Sequence, residues 1–438
     1  MEWWLILPLL IGCLIALMIT GVPVAFAFMI ICTVGAFLLW RGDVGLIQAV
    51  LGMKESMAKF IMLPIPLFVL MGAVMFHSGV APQMIGTLNK WIGRLPGRLA
   101  LLAVGGGTIF GTLSGSTAAS VALLGKTLVP EMEKQGYKKV MTVGPILGSG
   151  GLAMMIPPSG IAVFVAIVAE VSVGKLLIGI IFPGLLMAIL YSIYVVVRCW
   201  LQPHLAPPYE ISHFTWSDKL ISAARYILPL AFVIFAVLGV MLIGIATPTE
   251  AAATGALATI LLAAAYGRLS WAVIKKSLVN TIEITVMIFV ILATAKVYSQ
   301  ILAMTGATRG MVGFAMSLNL APILLVIGMH VMVIILGMFM NLGAIAMICL
   351  PMFIPIVTEV GLDAEWYVIM FLIAVEMGFT TPPFGINLFV MHGVAPKDTT
   401  FMDMVKGSLP FLYCDAIAIA FIMAFPQIAL WLPSLMQK

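Results

Sequence analysis

The chain has 438 residues, of which 63% are hydrophobic and 9% charged, and its formal net charge is +5. A soluble domain of this length needs many more charges on its surface, and the apolar runs are too long for barrel strands, so the composition specifies an all-α polytopic membrane protein. The basic residues are scattered over short connections and form no patch, which excludes nucleic acid and leaves the lipid bilayer as the surrounding phase.

The N-terminus reads MEWWLILPLL, with Glu2 where a secretory signal would carry Lys or Arg. It is expected to be a retained first span with Trp3 and Trp4 at the interface. Spans follow near 3–20, 22–40 and 61–78, with 41–60 as a polar connection. Residues 80–98 carry Lys90, Arg94 and Arg98 among apolar residues, as an interfacial amphipathic helix does. Residues 99–135 are apolar around a small, polar centre, GGGTIFGTLSGSTAAS at 105–120. They read as two half-helices meeting at Ser114-Gly115-Ser116, a re-entrant hairpin.

The next stretch, GSGGLAMMIPPSGIAVFV at 148–165, is too apolar for a surface loop and too broken for a helix. Gly150 and Gly151 each cost a helix about 1 kcal/mol relative to Ala. Pro157 and Pro158 remove two backbone donors, and Pro157 turns Ile156 towards extended geometry. A broken span is therefore expected at about 142–168. A span near 176–200 closes the first half, and the polar residues 201–225 form a cytoplasmic linker.

The second half repeats the pattern. Spans are expected near 226–246, 249–267 and 284–304, an amphipathic piece at 306–319, a hairpin at 322–357 with its tip near Asn341-Leu342-Gly343, a broken span at 366–394 and a last span at 408–432. Pro157 and Pro158 fall on Pro382 and Pro383 at an offset of 225, and Gly160, Ile161, Phe164 and Val165 fall on Gly385, Ile386, Phe389 and Val390. The same offset relates Pro23 to Pro248, Ala119 to Ala344 and Pro130 to Pro355. Each half has five crossings, an odd number, and Lys and Arg concentrate on one side: Lys90, Arg94, Arg98, Lys126, Lys134, Lys138, Lys139, Arg198, Lys219, Arg225, Arg268, Lys275, Lys276, Lys397 and Lys406. Arg41, Lys54, Lys59, Lys175, Arg309 and Lys438 fall on the other. The positive-inside rule then sets the N-terminus outside and makes residues 1–200 and 226–438 inverted repeats.

Paired broken segments in matching halves are the best sequence pointer to a transport site. Ser114, Ser116 and Thr117 with the carbonyls around Gly151, Met155 and Pro157 form one candidate cluster. Asn341 and Gly343 with Gly378, Thr380 and Thr381 form the other. Hydroxyl and carbonyl oxygens without a carboxylate suit Na⁺ rather than Ca²⁺ or Mg²⁺, and half-helix N-termini after Ser116 and Pro158 suit an anionic substrate. Close helix packing by small residues is the alternative use of such motifs.

LSGSTAAS at 113–120, IPPSG at 156–160, TGVPVAFAF at 20–28, TPTEAAATGA at 247–256 and TTPPFGIN at 380–387 together resemble the large membrane subunit of TRAP (tripartite ATP-independent periplasmic) transporters, along essentially the whole chain. The resemblance implies a scaffold plus a sliding transport domain, an elevator mechanism, and coupling to Na⁺ at two sites. It implies a periplasmic solute-binding protein that delivers an organic acid, and a small four-span membrane subunit, expected as a separate protein because this chain opens on its own first span. By resemblance Ser114 and Ser116 lie at the first Na⁺ site and border the substrate, Thr380 and Thr381 lie at the second, and Ser116, Thr117, Ser159, Thr381 and Asn387 form the substrate-binding set. A bacterial inner-membrane location follows. A stand-alone Na⁺- or H⁺-coupled dicarboxylate carrier of related fold is the alternative.

The remaining residues carry less. Five single cysteines have no metal spacing, and the 32 methionines are packing residues. No GxxxxGK[ST] motif occurs, so no nucleotide is expected, and no GxSxG or HExxH motif supports a membrane hydrolase. Sites at hairpin tips argue against a channel pore. Lys296 inside a span is read as a scaffold or subunit-contact residue, with a transport role as the alternative, Glu250 as a helix cap rather than a proton relay, Glu376 as either facing the cavity or paired within the protein, and Asp415 as a subunit contact. His77, His330 and His392 are read as structural.

Overall fold

The computed structural model describes residues 3–40, 42–93, 95–114, 116–207 and 215–436. Glu2, Arg41, Arg94, Gly115, residues 208–214 and Lys438 lie outside the described residues, as does the side chain of Ser114. Within them the chain is helical, without a strand. Among the described residues seven helices are long and apolar enough to cross a membrane, or eight where the pair Lys139–Met155 and Gly160–Val168, bent by 58°, is counted as one broken span. Trp3–Ile19 and Val24–Leu39 are shorter apolar helices.

The halves match at several elements, although Asp43–Met57 and Pro64–His77 of the first fall on the single helix Trp271–Met304 of the second. Shifted by 225 residues, Thr117–Lys134 coincides with Leu342–Glu359, and Lys139–Met155 with Ala364–Thr380. Ala81–Ile92 and Ala307–Ser317 end at equivalent positions, and Trp3 and Leu228 begin equivalent helices. The Pro157–Pro158 and Pro382–Pro383 bonds are both cis.

Four expectations need correction. The connection 41–60 is the helix Asp43–Met57. Its small residues Gly45, Ala49, Gly52 and Ser56 recur at helical spacing and are buried, so the segment packs although its charges hide it from a hydropathy reading. The span expected from 284 starts at Trp271, where Ser270 caps it, and runs unbroken to Met304. The end of the linker is helical: Thr215 and Asp218 form a reciprocal cap on Trp216–Ser222, which continues into Leu228–Leu242. The last span ends at Ala424, and Pro426 starts a separate helix, Gln427–Ser434.

Two groups of helices pack within themselves. Val24–Leu39, Asp43–Met57, Pro64–His77, Pro248–Ala265 and Trp271–Met304 form one. The second contains both helix pairs (Arg98–Ser114 with Thr117–Lys134, and Pro322–Gly337 with Leu342–Glu359), both broken helices, Ile181–Leu201 and Phe401–Ala424. Ala364–Thr380 runs through the middle of the second group and is buried along almost its whole length. Lys139 ties its base, pairing with Glu133 at 2.6 Å and Asp398 at 2.7 Å. The hydrogen bond from Lys139 holds the Asp398 carboxyl below its usual range.

Gly337 and Gly378 bring hairpin and broken helix to backbone contact: a Cβ on Gly337 would lie 2.8 Å from the Gly378 Cα. Gly337→Val should therefore destabilise the protein by about 1–3 kcal/mol through overpacking, more than the few tenths regained by replacing a helical glycine. Thermal unfolding in detergent checks this, and an unchanged transition temperature would contradict the close approach.

Candidate functional site

Each helix that starts beside a break needs a partner for its first free N–H groups. Ser116 caps Thr117–Lys134 by accepting from the Ala119 N–H at 3.3 Å, and Ser159 caps Gly160–Val168 by accepting from the Ala162 N–H at 3.3 Å. Asn341 does the same for Leu342–Glu359, its Oδ1 accepting from the Ala344 N–H at 3.0 Å. Three of the residues named from sequence thus build the half-helix starts, where the helix dipole favours negative charge.

At the second break Thr380 donates to the Glu376 carbonyl at 3.1 Å and Thr381 to the Met377 carbonyl at 2.5 Å. A hydroxyl that donates to a carbonyl keeps its oxygen lone pairs for a cation. Asn387, fully buried in the first turn after the break, donates from Nδ2 to Glu376 Oε1 at 3.1 Å. Glu376 Oε2 and Asn387 Oδ1 are both buried without a hydrogen-bond partner among the described residues.

The structure brings several expected residues together. A Cβ on Gly150 would lie 3.5 Å from the Thr117 carbonyl, which sets hairpin against break, and one on Gly151 would lie 2.1 Å from the Glu376 Cγ, which sets break against break. Gly151 can thus only be glycine while Glu376 stays where it is. Gly378 meets Gly337 as described. Pro157 is buried beside Ser159 in the first break. Others are placed apart. The Met155 carbonyl lies against Gly184 of Ile181–Leu201, and Gly343 lies against Ile291 of the long helix Trp271–Met304. Ser116 lines a cavity of about 660 Å³ with Ala119, His77, Lys275, Lys276 and Asn280.

Of the two readings of Glu376 the structure shows pairing within the protein; what sequence reasoning did not supply is the partner, Asn387, placed there in the substrate-binding set, with only two polar residues eleven apart across one break as a signal. Lys296 pairs with Glu170 at 3.2 Å, across the two helix groups. Glu250 forms a reciprocal cap with Thr247, and His330 is buried with Nδ1 2.7 Å from the Val326 carbonyl. The subunit contact expected of Asp415 is corrected: it is buried and accepts a hydrogen bond from the Tyr191 hydroxyl, so its carboxylate is occupied inside the chain.

Residues 11–428 match the family model described as "Tripartite ATP-independent periplasmic transporter, DctM component". The chain belongs to that family. Among curated DctM-family relatives, the C4-dicarboxylate TRAP transporter large permease protein DctM of Pseudomonas aeruginosa is 32% identical over 87% of this chain and 88% of its own. The ectoine TRAP transporter large permease protein TeaC of Halomonas elongata is 28% identical over 98% and 99%. A DctMQ permease protein of an isethionate TRAP transporter from Oleidesulfovibrio alaskensis is 29% identical over 89% of this chain and 60% of its own length. In fold, the chain resembles the YdaH transporter of Alcanivorax borkumensis, with a TM-score of 0.61 at 14% identity over 88% of this chain and 90% of that one. The DctM-family chain is thus a multi-pass membrane transport protein.

Asn387→Leu should leave Glu376 Oε1 without its donor and lower stability by about 1–3 kcal/mol. Thermal unfolding of the purified protein measures this, and an unaltered transition would show that the pair contributes nothing.

Proposed function

We propose that this chain is the large membrane subunit of a Na⁺-coupled secondary transporter that imports a small organic acid across the bacterial inner membrane by an elevator motion. The observation that carries the reading is the coincidence of helix pair and broken helix in both halves at one offset, with side-chain caps on the helices that restart beside the gaps. Read with the positive-inside rule, the matched halves are inverted repeats. The first helix group is the scaffold and the second the moving transport domain.

Hydroxyl and carbonyl oxygens make up most of both clusters and fit Na⁺, and the Glu376 carboxyl lies beside Gly151 of the first. Ser114, Ser116 and the carbonyls of Gly151, Met155 and Pro157 compose the first site, with Met155 contributing least because its carbonyl faces Gly184. Asn341, Gly343, Gly378, Thr380 and Thr381 compose the second. A carboxylate substrate between the tips meets Ser116, Thr117, Ser159 and Thr381 and the positive ends of the half-helices. Asn387 serves this site by holding Glu376 rather than by reaching the substrate itself. Relatives named for C4-dicarboxylates support an organic-acid cargo. Membership of a tripartite periplasmic transporter family, as one component of three, supports a periplasmic binding protein and a further membrane subunit as partners, and the longer DctMQ relative agrees with a small subunit.

The cavity beside Ser116 opens at the end of the long helix that carries Lys275 and Lys276, while Gly343 packs on that helix farther along. In the proposed topology this is an inward-facing arrangement.

Ser116→Ala should cut uptake by about tenfold or more while the protein still reaches the membrane; near-normal uptake would remove Ser116 from the site. Thr381→Ala should raise the Na⁺ concentration needed for half-maximal uptake, and an unchanged Na⁺ dependence would remove the second cation site.

A further inference from the structure

A second cavity, of about 540 Å³, lies where the two helix groups meet, bounded by Lys59, Glu170, Lys296, Ser299, Pro351 and Pro355 among others. Lys296 comes from the scaffold helix Trp271–Met304 and is partly buried. Glu170 comes from the turn that ends the first broken helix, on the other group, where its φ is +56° and its carboxylate is mostly exposed. The two meet at 3.2 Å. Lys59 lines the same cavity and forms no ion pair among the described residues.

An ammonium on a span segment needs an anion near it, and the protein supplies one on a single mobile-group turn. A pair reached by solvent on its acid side adds little to stability and exchanges its partner readily. Lys59, an exposed residue of the same lining, has no such partner among the described residues, so the lining holds one carboxylate and two ammonium groups. Its volume admits a small aliphatic acid.

We propose that this cavity is a carboxylate-binding antechamber, in which an entering dicarboxylate takes the place of Glu170 on Lys296 and extends its second carboxylate to Lys59. Glu170 is then an internal stand-in for the cargo. Because Glu170 and Lys296 lie on opposite helix groups, exchange of the partner also removes an ion pair that spans the two groups. The proposal deepens the organic-acid reading of the transport site and rests on it.

The test is equilibrium binding of labelled succinate to the purified full-length chain in nanodiscs, at constant ionic strength, with the parent, K296Q, K296R and E170Q. Glu170 competes with the ligand and Lys296 binds it, so the two neutral variants should move affinity in opposite directions. E170Q should bind succinate several-fold more tightly, K296Q about tenfold more weakly, and K296R close to the parent. Size-exclusion profiles of the four proteins identify any variant that fails to fold, in which case K296R and E170Q alone decide the sign. A pair that is only structural would weaken or leave unchanged both variants alike, and either result overturns the proposal. Uptake measured separately keeps the two readings apart: absence of carrier activity for every acid would end the transport reading, whereas parallel shifts in binding end only the antechamber.

Discussion

The constraint on which this structure depends is that backbone polar groups freed inside a bilayer must find partners within the protein. The chain frees them deliberately, at two hairpin tips and two breaks. The donors at three of the resulting helix starts are met by Ser116, Ser159 and Asn341. These caps satisfy only part of what is exposed, since each restarted helix leaves several N–H groups and the preceding one several carbonyls. What remains is a set of oriented dipoles in a low-dielectric interior, which is the raw material of an ion and anion site.

Close packing makes that arrangement compact. Gly151 lets Glu376 approach from the other half, and Gly337 with Gly378 lets hairpin and broken helix touch backbone to backbone. The buried carboxylate of Glu376 is then held by Asn387 on the far side of its own break. One side chain thus links the two breaks and the two segments flanking the second. The organisation differs from the interface between the helix groups, where Lys296 and Glu170 meet in a cavity open to solvent. Elsewhere the two groups meet through close apolar contacts, as where Gly343 packs on Ile291 and Gly160 on Val69.

Much of this was legible in the chain. The doubled Pro-Pro segments announced the breaks, Ser-Gly-Ser and Asn-Leu-Gly announced the starts of the returning helices, and the offset of 225 announced their correspondence. What stayed hidden did so for physical reasons. Asp43–Met57 carries Lys54 and Glu55 on its outer side, so its packing stripe of Gly45, Ala49, Gly52 and Ser56 does not register as apolar. The first turns of the helix at Trp271 carry Lys275 and Lys276, which placed its apparent start thirteen residues late. Glu170 and Lys296 are 126 residues apart, and nothing local relates them. The Met155 carbonyl illustrates the opposite limit: a break marks where carbonyls are freed, but only the neighbouring helix, here through Gly184, decides which of them face the site.

The central claim is that the matched hairpins and breaks move an organic acid together with Na⁺, within a three-part assembly. Its most direct test is uptake of a panel of labelled organic acids into vesicles containing this chain, under an inward Na⁺ gradient, with and without a candidate small membrane subunit and binding protein. The account predicts uptake of at least one acid only when the gradient and all three components are present. Uptake by this chain alone, or uptake that persists without Na⁺, would contradict it.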